Sequence, residues 1–175
     1  NSKSIKFVII SSRFSLLDEG INLLMNNEII NEKNKKEQLV LKGLFLILKD
    51  LKDSGKEVIL FSNTPKPKEY FKPAECVLKS IINNINLKNC EFIQENRSNN
   101  KGLFIFDQIK INGIQKIDLT EQICKHGVCK PYFDKKPIYG AGGHLSKEGA
   151  KYLSKKYGWE KLITAKCDRK NCSSY

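Results

Sequence analysis

Short apolar runs that alternate with helical periodicity constrain the fold of this chain most strongly. Residues 5–10 and 57–61 are rich in β-branched and other apolar side chains, as expected of strands buried in a parallel sheet. Between them, apolar residues recur at helical spacing from Leu39 to Leu51, and Gly55 ends the pattern. This order predicts a strand–helix–strand unit with parallel strands.

The remainder of the chain continues the alternation. Helices are expected at residues 74–85 and 104–111, and strands near Phe92 and at residues 114–119. The pattern predicts a three-layer α/β domain with a mostly parallel sheet. With 175 residues, the chain has room for one domain with a hydrophobic core, and a single domain over residues 1–175 is expected.

Six cysteines indicate disulfides rather than a metal site. They fall into the sequence pairs Cys76/Cys90, Cys124/Cys129 and Cys167/Cys172. The sequence has only two histidines and no Cys-x-x-Cys motif, which disfavours metal or redox chemistry. Gly127 lies inside the short 124–129 segment, as a small covalently closed turn would favour, although six cysteines permit many connectivities. An oxidising compartment is therefore expected.

The formal net charge of +12 favours anionic partners such as acidic glycans, lipopolysaccharide or a lipid surface. The alternative is a solvated lysine-rich surface, because the lysines are scattered and no aromatic residues interleave with them. The same lack of aromatic residues argues against nucleic acid as a partner. No apolar run is long enough to span a bilayer and no secretory signal begins the sequence, so any anchor or export signal is expected outside it.

The segment 138–150 carries the clearest chemical signal. Ser146 is well placed to cap a helix that carries Leu153, which leaves His144 on the loop before the helix start. Glycines precede His144, and an exposed imidazole is what a general base needs. The alternative is a surface histidine with no role.

His144, Leu145 and Ser146, followed by Gly149 and Ala150, resemble the last block of SGNH hydrolases. In that block an aspartate three residues before the histidine orients it within a Ser/His/Asp triad. More specifically, the chain is similar to the C-terminal SGNH domain fused to family-three membrane acyltransferases, which O-acetylate bacterial surface glycans.

Further segments agree in the same order and extend the resemblance over nearly the whole chain. They are residues 7–15, residues 58–67 with Cys76-Val77-Leu78, and residues 117–119 with the Cys124/Cys129 pair. The resemblance implies an α/β/α SGNH-hydrolase-like (flavodoxin-like) fold and no metal or organic cofactor. It also implies a periplasmic or other extracytoplasmic location within an inner-membrane protein, whose membrane acyltransferase domain donates the acyl group.

Two departures from the family pattern bear on catalysis. Ala141 stands where the family has its aspartate, so His144 lacks the partner that fixes its tautomer, through engineered inactivation or natural loss. The family's Gly-Asp-Ser block, which holds the nucleophile, should precede the region matched at Phe7, and no such block occurs. The chain is expected to be a C-terminal portion without its first strand, or the nucleophile half is a separate piece. Ser11 and Ser12 are less favoured as substitutes for the missing nucleophile.

Three residues at predicted strand ends are candidates for substrate binding. Arg13 would donate hydrogen bonds to the oxyanion or the glycan, or would brace its own loop. Ser12 lies in the same block, and Asn63 would line the same cleft or form a turn. The central expectation is that His144 stands beside Arg13 at the carboxyl edge of the parallel sheet, in an open cleft.

The function expected from the resemblance is acetyl transfer to a sugar hydroxyl of a bacterial surface polysaccharide or lipopolysaccharide, with His144 as general base. One alternative is an SGNH esterase or deacetylase, which uses water as the acceptor. The other is a catalytically dead glycan-binding module, consistent with Ala141 and the positive charge.

Overall fold

The computed structural model describes residues 5–11, 23–25, 28–30, 33–67, 71–97 and 99–162. In chain order the elements are β1 (Phe7–Ser11), β2 (Leu23–Met25), β3 (Glu28–Ile30), α1 (Lys33–Asp53), β4 (Glu57–Phe61), α2 (Pro73–Ile82), β5 (Phe92–Ile93), α3 (Lys101–Gln108), β6 (Ile114–Ile117), α4 (Leu119–Ile123), β7 (Cys124–Lys125), β8 (Val128–Cys129), β9 (Tyr132–Phe133), β10 (Lys136–Pro137) and α5 (Lys147–Tyr157). Short 3₁₀ turns lie at Leu87–Cys90 and Ala141–Gly143.

The chain divides into two compact units. The first, Asn1–Asn63 with Asn96–Leu119, is called the sheet unit here. The second, Thr64–Glu95 with Thr120–Tyr175, is called the histidine-loop unit.

A parallel three-stranded sheet in the order β1-β4-β6 forms the centre of the sheet unit. Its register places Ser11 opposite Phe61 and Phe61 opposite Ile117, so the three strands end at the same edge. The predicted strand–helix–strand unit is confirmed, since α1 connects β1 to β4. The antiparallel pairing of β2 with β3 was not predicted, because strands of three residues are too short to show an alternating pattern.

One face of this sheet is covered by two helices. Val58 and Leu60 point to the same side of β4 and pack into a buried cluster with residues of α1 and α3. Leu48 of α1 and Ile105 of α3 are fully buried in it. Helix α3 begins earlier than predicted because the Asn100 side chain accepts a hydrogen bond from the backbone N–H of Leu103 and caps it.

Small antiparallel sheets accompany helices α2, α4 and α5 in the histidine-loop unit, which α4 enters at Thr120. Strands β5, β8 and β7 form one sheet, and β9 pairs with β10 in another. The turn residues His126 and Gly127 both have positive φ, of 50° and 79°, as a two-residue hairpin turn requires. These strands contain two residues each, which explains why apolar patterning predicted a parallel sheet and missed them.

Two disulfides connect elements of this unit. Cys76 on α2 is bonded to Cys90, and Cys124 is bonded to Cys129 across the β7–β8 hairpin. Both confirm pairs expected from the sequence, whereas Cys167 and Cys172 lie outside the described residues.

Candidate active site

His144 lies on an exposed loop that ends where α5 begins. The Ser146 hydroxyl accepts a hydrogen bond from the Gly149 N–H at 2.9 Å and donates one to the carbonyl of Pro137, also at 2.9 Å. The predicted cap is therefore confirmed. Because this cap fixes the first turn of α5, it also fixes the backbone that leads out of His144.

Two side-chain contacts hold the loop on either side of position 141. Tyr139 is buried, its ring lies edge-on to Phe92, and its hydroxyl donates to the carbonyl of Pro65 at 2.9 Å. Burial raises the pKa of Tyr139, so the phenol remains a neutral donor. The Thr64 hydroxyl donates to the carbonyl of Gly143 at 2.8 Å. Sequence reasoning missed both roles, because each contact joins residues more than 70 positions apart.

Gly149 allows α5 to approach the loop closely. A Cβ on this residue would overlap the carbonyl of Ile138, lying 2.8 Å from its carbon atom and closer still to its oxygen. Packing therefore requires a glycine at position 149, within the block that resembles SGNH hydrolases. Any side chain there would push the helix away from the segment that leads to His144.

Position 141 lies in the turn that leads to His144. Ala141 opens the 3₁₀ turn, and the His144 N–H points to its carbonyl at 3.4 Å. Gly143 within the turn has a positive φ of 77°, so the turn departs from a regular 3₁₀ helix and does not by itself set the directions of the two side chains. Ala141 offers only a methyl group. The imidazole makes no hydrogen bond with any other residue that the structure describes, and no group of potential metal ligands occurs among those residues.

Asn63 follows β4 in the sheet unit and packs tightly against α3. A Cβ on Gly102 would overlap the Asn63 amide, so the absence of a side chain at 102 makes room for it. The Asn63 Oδ1 is buried and has no hydrogen-bond partner within the described ranges. Its role in substrate binding remains a prediction. Ser12 and Arg13 lie outside the described residues. The expected closeness of Arg13 to His144 therefore remains a prediction.

An ion-pair network at the end of the parallel sheet was not predicted. Arg97 binds Asp107 through two hydrogen bonds, at 3.1 and 2.6 Å, and Asp118 through a third contact at 2.7 Å. These carboxylates raise the pKa of Arg97. The Ser62 hydroxyl donates to Asp118 at 3.3 Å and accepts from the Leu119 N–H at 2.8 Å. The network joins the ends of β4 and β6, which gives it a structural role.

The parallel sheet with packed helices makes the chain mixed α/β, which is consistent with an α/β/α hydrolase-like fold. The family model of the SGNH domain (fused to AT3 domains) matches residues 1–158, so the chain belongs to this family. No curated protein and no solved structure matches the chain.

The two disulfides fit an oxidising, extracytoplasmic compartment. Within the described ranges, no helix has the length and apolar character needed to cross a membrane.

Proposed function

We propose that this chain is the histidine-bearing part of an O-acyltransferase that moves an acetyl group to a sugar hydroxyl of a bacterial surface polysaccharide or lipopolysaccharide. The observation that carries the proposal is His144, exposed ahead of a capped helix in a member of an SGNH family. The fusion of this family to AT3 domains supports a membrane acyltransferase domain as the acyl donor. We place the protein in the periplasm, associated with the inner membrane.

The proposed reaction has two halves, and His144 acts in both. First, the imidazole takes the proton of a serine hydroxyl while the serine oxygen attacks the acyl carbonyl. The donor's leaving group departs with that proton, and an acyl-serine ester remains. Second, the imidazole takes the proton of a sugar hydroxyl, whose oxygen attacks the ester. The acyl group moves to the sugar, and the serine recovers its proton.

The nucleophile in this scheme is the serine of the family's Gly-Asp-Ser block, which does not occur among the 175 residues. Arg13, Ser12 and Asn63 remain our candidates for contacts to the oxyanion or the glycan. Ala141 supports a second candidate function, a glycan-binding module without catalysis, because a histidine without its carboxylate is a weak base catalyst.

Acetyl transfer can be tested on a version of the chain preceded by the family's Gly-Asp-Ser block and carrying Ala141→Asp. The donor is p-nitrophenyl acetate and the acceptor is a surface-type oligosaccharide. Mass spectrometry measures O-acetylated sugar, and acetate release is measured in parallel. The proposal predicts acetylated sugar that is lost in His144→Gln and in the Ser→Ala variant of the added block.

Other outcomes lead to other functions. Acetate release without acetylated sugar would identify an esterase. Glycan binding that persists in His144→Gln, with no acyl chemistry in any version, would identify the non-catalytic module. Transfer that is unchanged in His144→Gln would overturn the assignment of the base.

A further inference from the structure

A cavity of about 440 Å³ lies within the histidine-loop unit, and the proposed reaction makes no use of it. Its lining comes from α5, from the β7–β8 and β9–β10 hairpins and from neighbouring segments. Ile123, Ile138 and Leu153 line it and are buried, so its base is apolar and fixed by the core. Pockets of a few hundred Å³ are of the size that holds a small organic ligand.

An aromatic pair lines one part of the cavity. The rings of Phe133 and Tyr152 stack with centroids 4.0 Å apart and planes only 8° from parallel. Both side chains are partly exposed rather than buried. Each ring covers one face of the other, so the C–H face of a sugar ring can pack only on an outer face of the pair.

Three lysines also line the cavity: Lys125, Lys130 and Lys156. The Lys130 ammonium lies 4.7 Å from the centroid of the Tyr132 ring, and the Lys156 ammonium lies 5.4 Å from that of Tyr152. None of the three forms an ion pair with a carboxylate among the residues that the structure describes. They are therefore available to an anionic group of a ligand.

Hydrogen-bond acceptors complete the lining. Glu91 accepts a hydrogen bond from the Tyr132 hydroxyl at 2.9 Å, and Gln122 accepts one from Trp159 at 3.1 Å. Asp134 also faces the cavity and is exposed. A purely anionic ligand such as inorganic phosphate could bind the lysines but would bring few hydrogen-bond donors to the two carboxylates. A ligand that carries hydroxyl donors as well as one acidic group satisfies both kinds of lining residue.

We propose that this cavity is a binding site for an acidic sugar unit, of the uronic-acid class, in a surface glycan. The sugar ring packs on Phe133 and Tyr152, and its carboxylate binds Lys130 and Lys156. Its hydroxyls donate to Asp134 and Glu91. The site would hold a glycan without help from His144, so it functions whether or not the chain catalyses acyl transfer.

Binding is tested on the 175-residue protein by isothermal titration calorimetry. The acidic probe is trigalacturonic acid, and its neutral counterpart is galactotriose. We expect the acidic trisaccharide to bind about tenfold or more tightly than the neutral one, with an affinity that falls as salt is added. In amide NMR spectra, shifts caused by the acidic probe should concentrate at residues 132–134 and 152–156.

The variants separate the cavity from the overall positive charge. Lys130→Gln/Lys156→Gln should weaken binding of the acidic probe about tenfold or more. Lys155→Gln/Lys161→Gln removes the same charge from exposed positions outside the cavity lining and should leave the affinity within about twofold. His144→Gln should leave the affinity for the acidic probe unchanged.

Tyr152→Ala should also weaken binding, with its fold checked by circular dichroism. The NMR measurement needs no variant, so a poorly folded Tyr152→Ala does not remove the test. The proposal is overturned if both trisaccharides bind equally, if both double variants lose affinity alike, or if the NMR shifts lie away from the cavity.

Discussion

In the proposed reaction, Ala141 is the residue that most limits what His144 can do. Position 141 lies three residues before His144 in the same turn, and alanine there offers the ring no carboxylate to select its tautomer. We expect Ala141→Asp to favour the tautomer with hydrogen on Nδ1, which frees Nε2 to accept a proton. Nitrogen-15 NMR of the neutral imidazole measures the tautomer directly.

The control for this change is Ala141→Asn, which has the same shape without the charge and should shift the nitrogen signals less. If the imidazole nitrogen shifts in Ala141→Asp equal those of the parent protein, then position 141 does not face His144.

A second prediction at this scale concerns two helical glycines. A Cβ on Gly149 would overlap the Ile138 carbonyl, whereas a Cβ on Gly43 in α1 would meet nothing within 4 Å. Gly149→Ala should therefore lower the free energy of unfolding by about 1–3 kcal/mol. Gly43→Ala should raise it by about 0.5–1 kcal/mol, because alanine favours the helix. Urea denaturation measures both, and equal effects would contradict the packing described for α5.

At the scale of elements, the two disulfides close loops of different length. The Cys76–Cys90 bond joins residues 14 positions apart, and the Cys124–Cys129 bond joins residues five apart. The longer loop restricts the unfolded chain more, so Cys76→Ala/Cys90→Ala should destabilise by about 3 kcal/mol and Cys124→Ala/Cys129→Ala by about 2. Urea denaturation without reductant measures both variants. A larger loss from the shorter loop would show that chain entropy does not dominate.

Strand β9 is tied to the segment before β5 by the hydrogen bond from Tyr132 to Glu91. Burial, aided by this bond, raises the pKa of Tyr132 from 10.0 to about 12. The folded state therefore holds the phenolic proton more tightly than the unfolded state does. The resulting stabilisation is complete below pH 10 and is lost as the pH rises toward 12.

Tyr132→Phe has no phenol to ionise at position 132, so this variant is the control for the parent protein. The stability difference between the parent protein and Tyr132→Phe should be constant at neutral and mildly alkaline pH and should narrow above pH 10. A difference that does not change with pH would mean that Tyr132 ionises equally in both states.

The elements also show which parts of the fold could be predicted. Strands β1 and β4 and helix α1 were predictable because a buried strand and an amphipathic helix each leave a periodic pattern. The β7–β8 and β9–β10 hairpins were not, because two-residue strands carry no period. The turns of both hairpins need residues with positive φ. Among the four turn residues, only Gly127 indicated a turn in the sequence; the others are His126, Asp134 and Lys135.

The candidate site also has features that could be predicted from sequence and features that could not. Ser146 could be assigned as a helix cap and His144 as a loop residue, since both follow from local sequence. The contacts of Thr64 with Gly143 and of Tyr139 with Pro65 could not be predicted, because they depend on tertiary packing between distant segments. The same is true of Arg97, whose carboxylate partners come from α3 and from the end of β6.

At the scale of the whole molecule, the net charge of +12 favours an anionic partner, as the glycan acceptor that we propose would be. A strongly positive protein attracts anionic glycans over distances comparable to the Debye length, and added salt weakens that attraction. The proposed cavity site would convert this general attraction into binding of a particular sugar. Catalysis then depends on whether His144 can activate a serine.

That activation is tested most directly by the rate at which a fluorophosphonate labels the serine of a version preceded by the family's Gly-Asp-Ser block and carrying Ala141→Asp. Labelling needs a serine oxygen whose proton is taken by a base, and a general base contributes about 100-fold or more to such a rate. We predict that His144→Gln slows labelling by about that factor while the stability of the protein is unchanged. Equal labelling rates with and without His144 would contradict it.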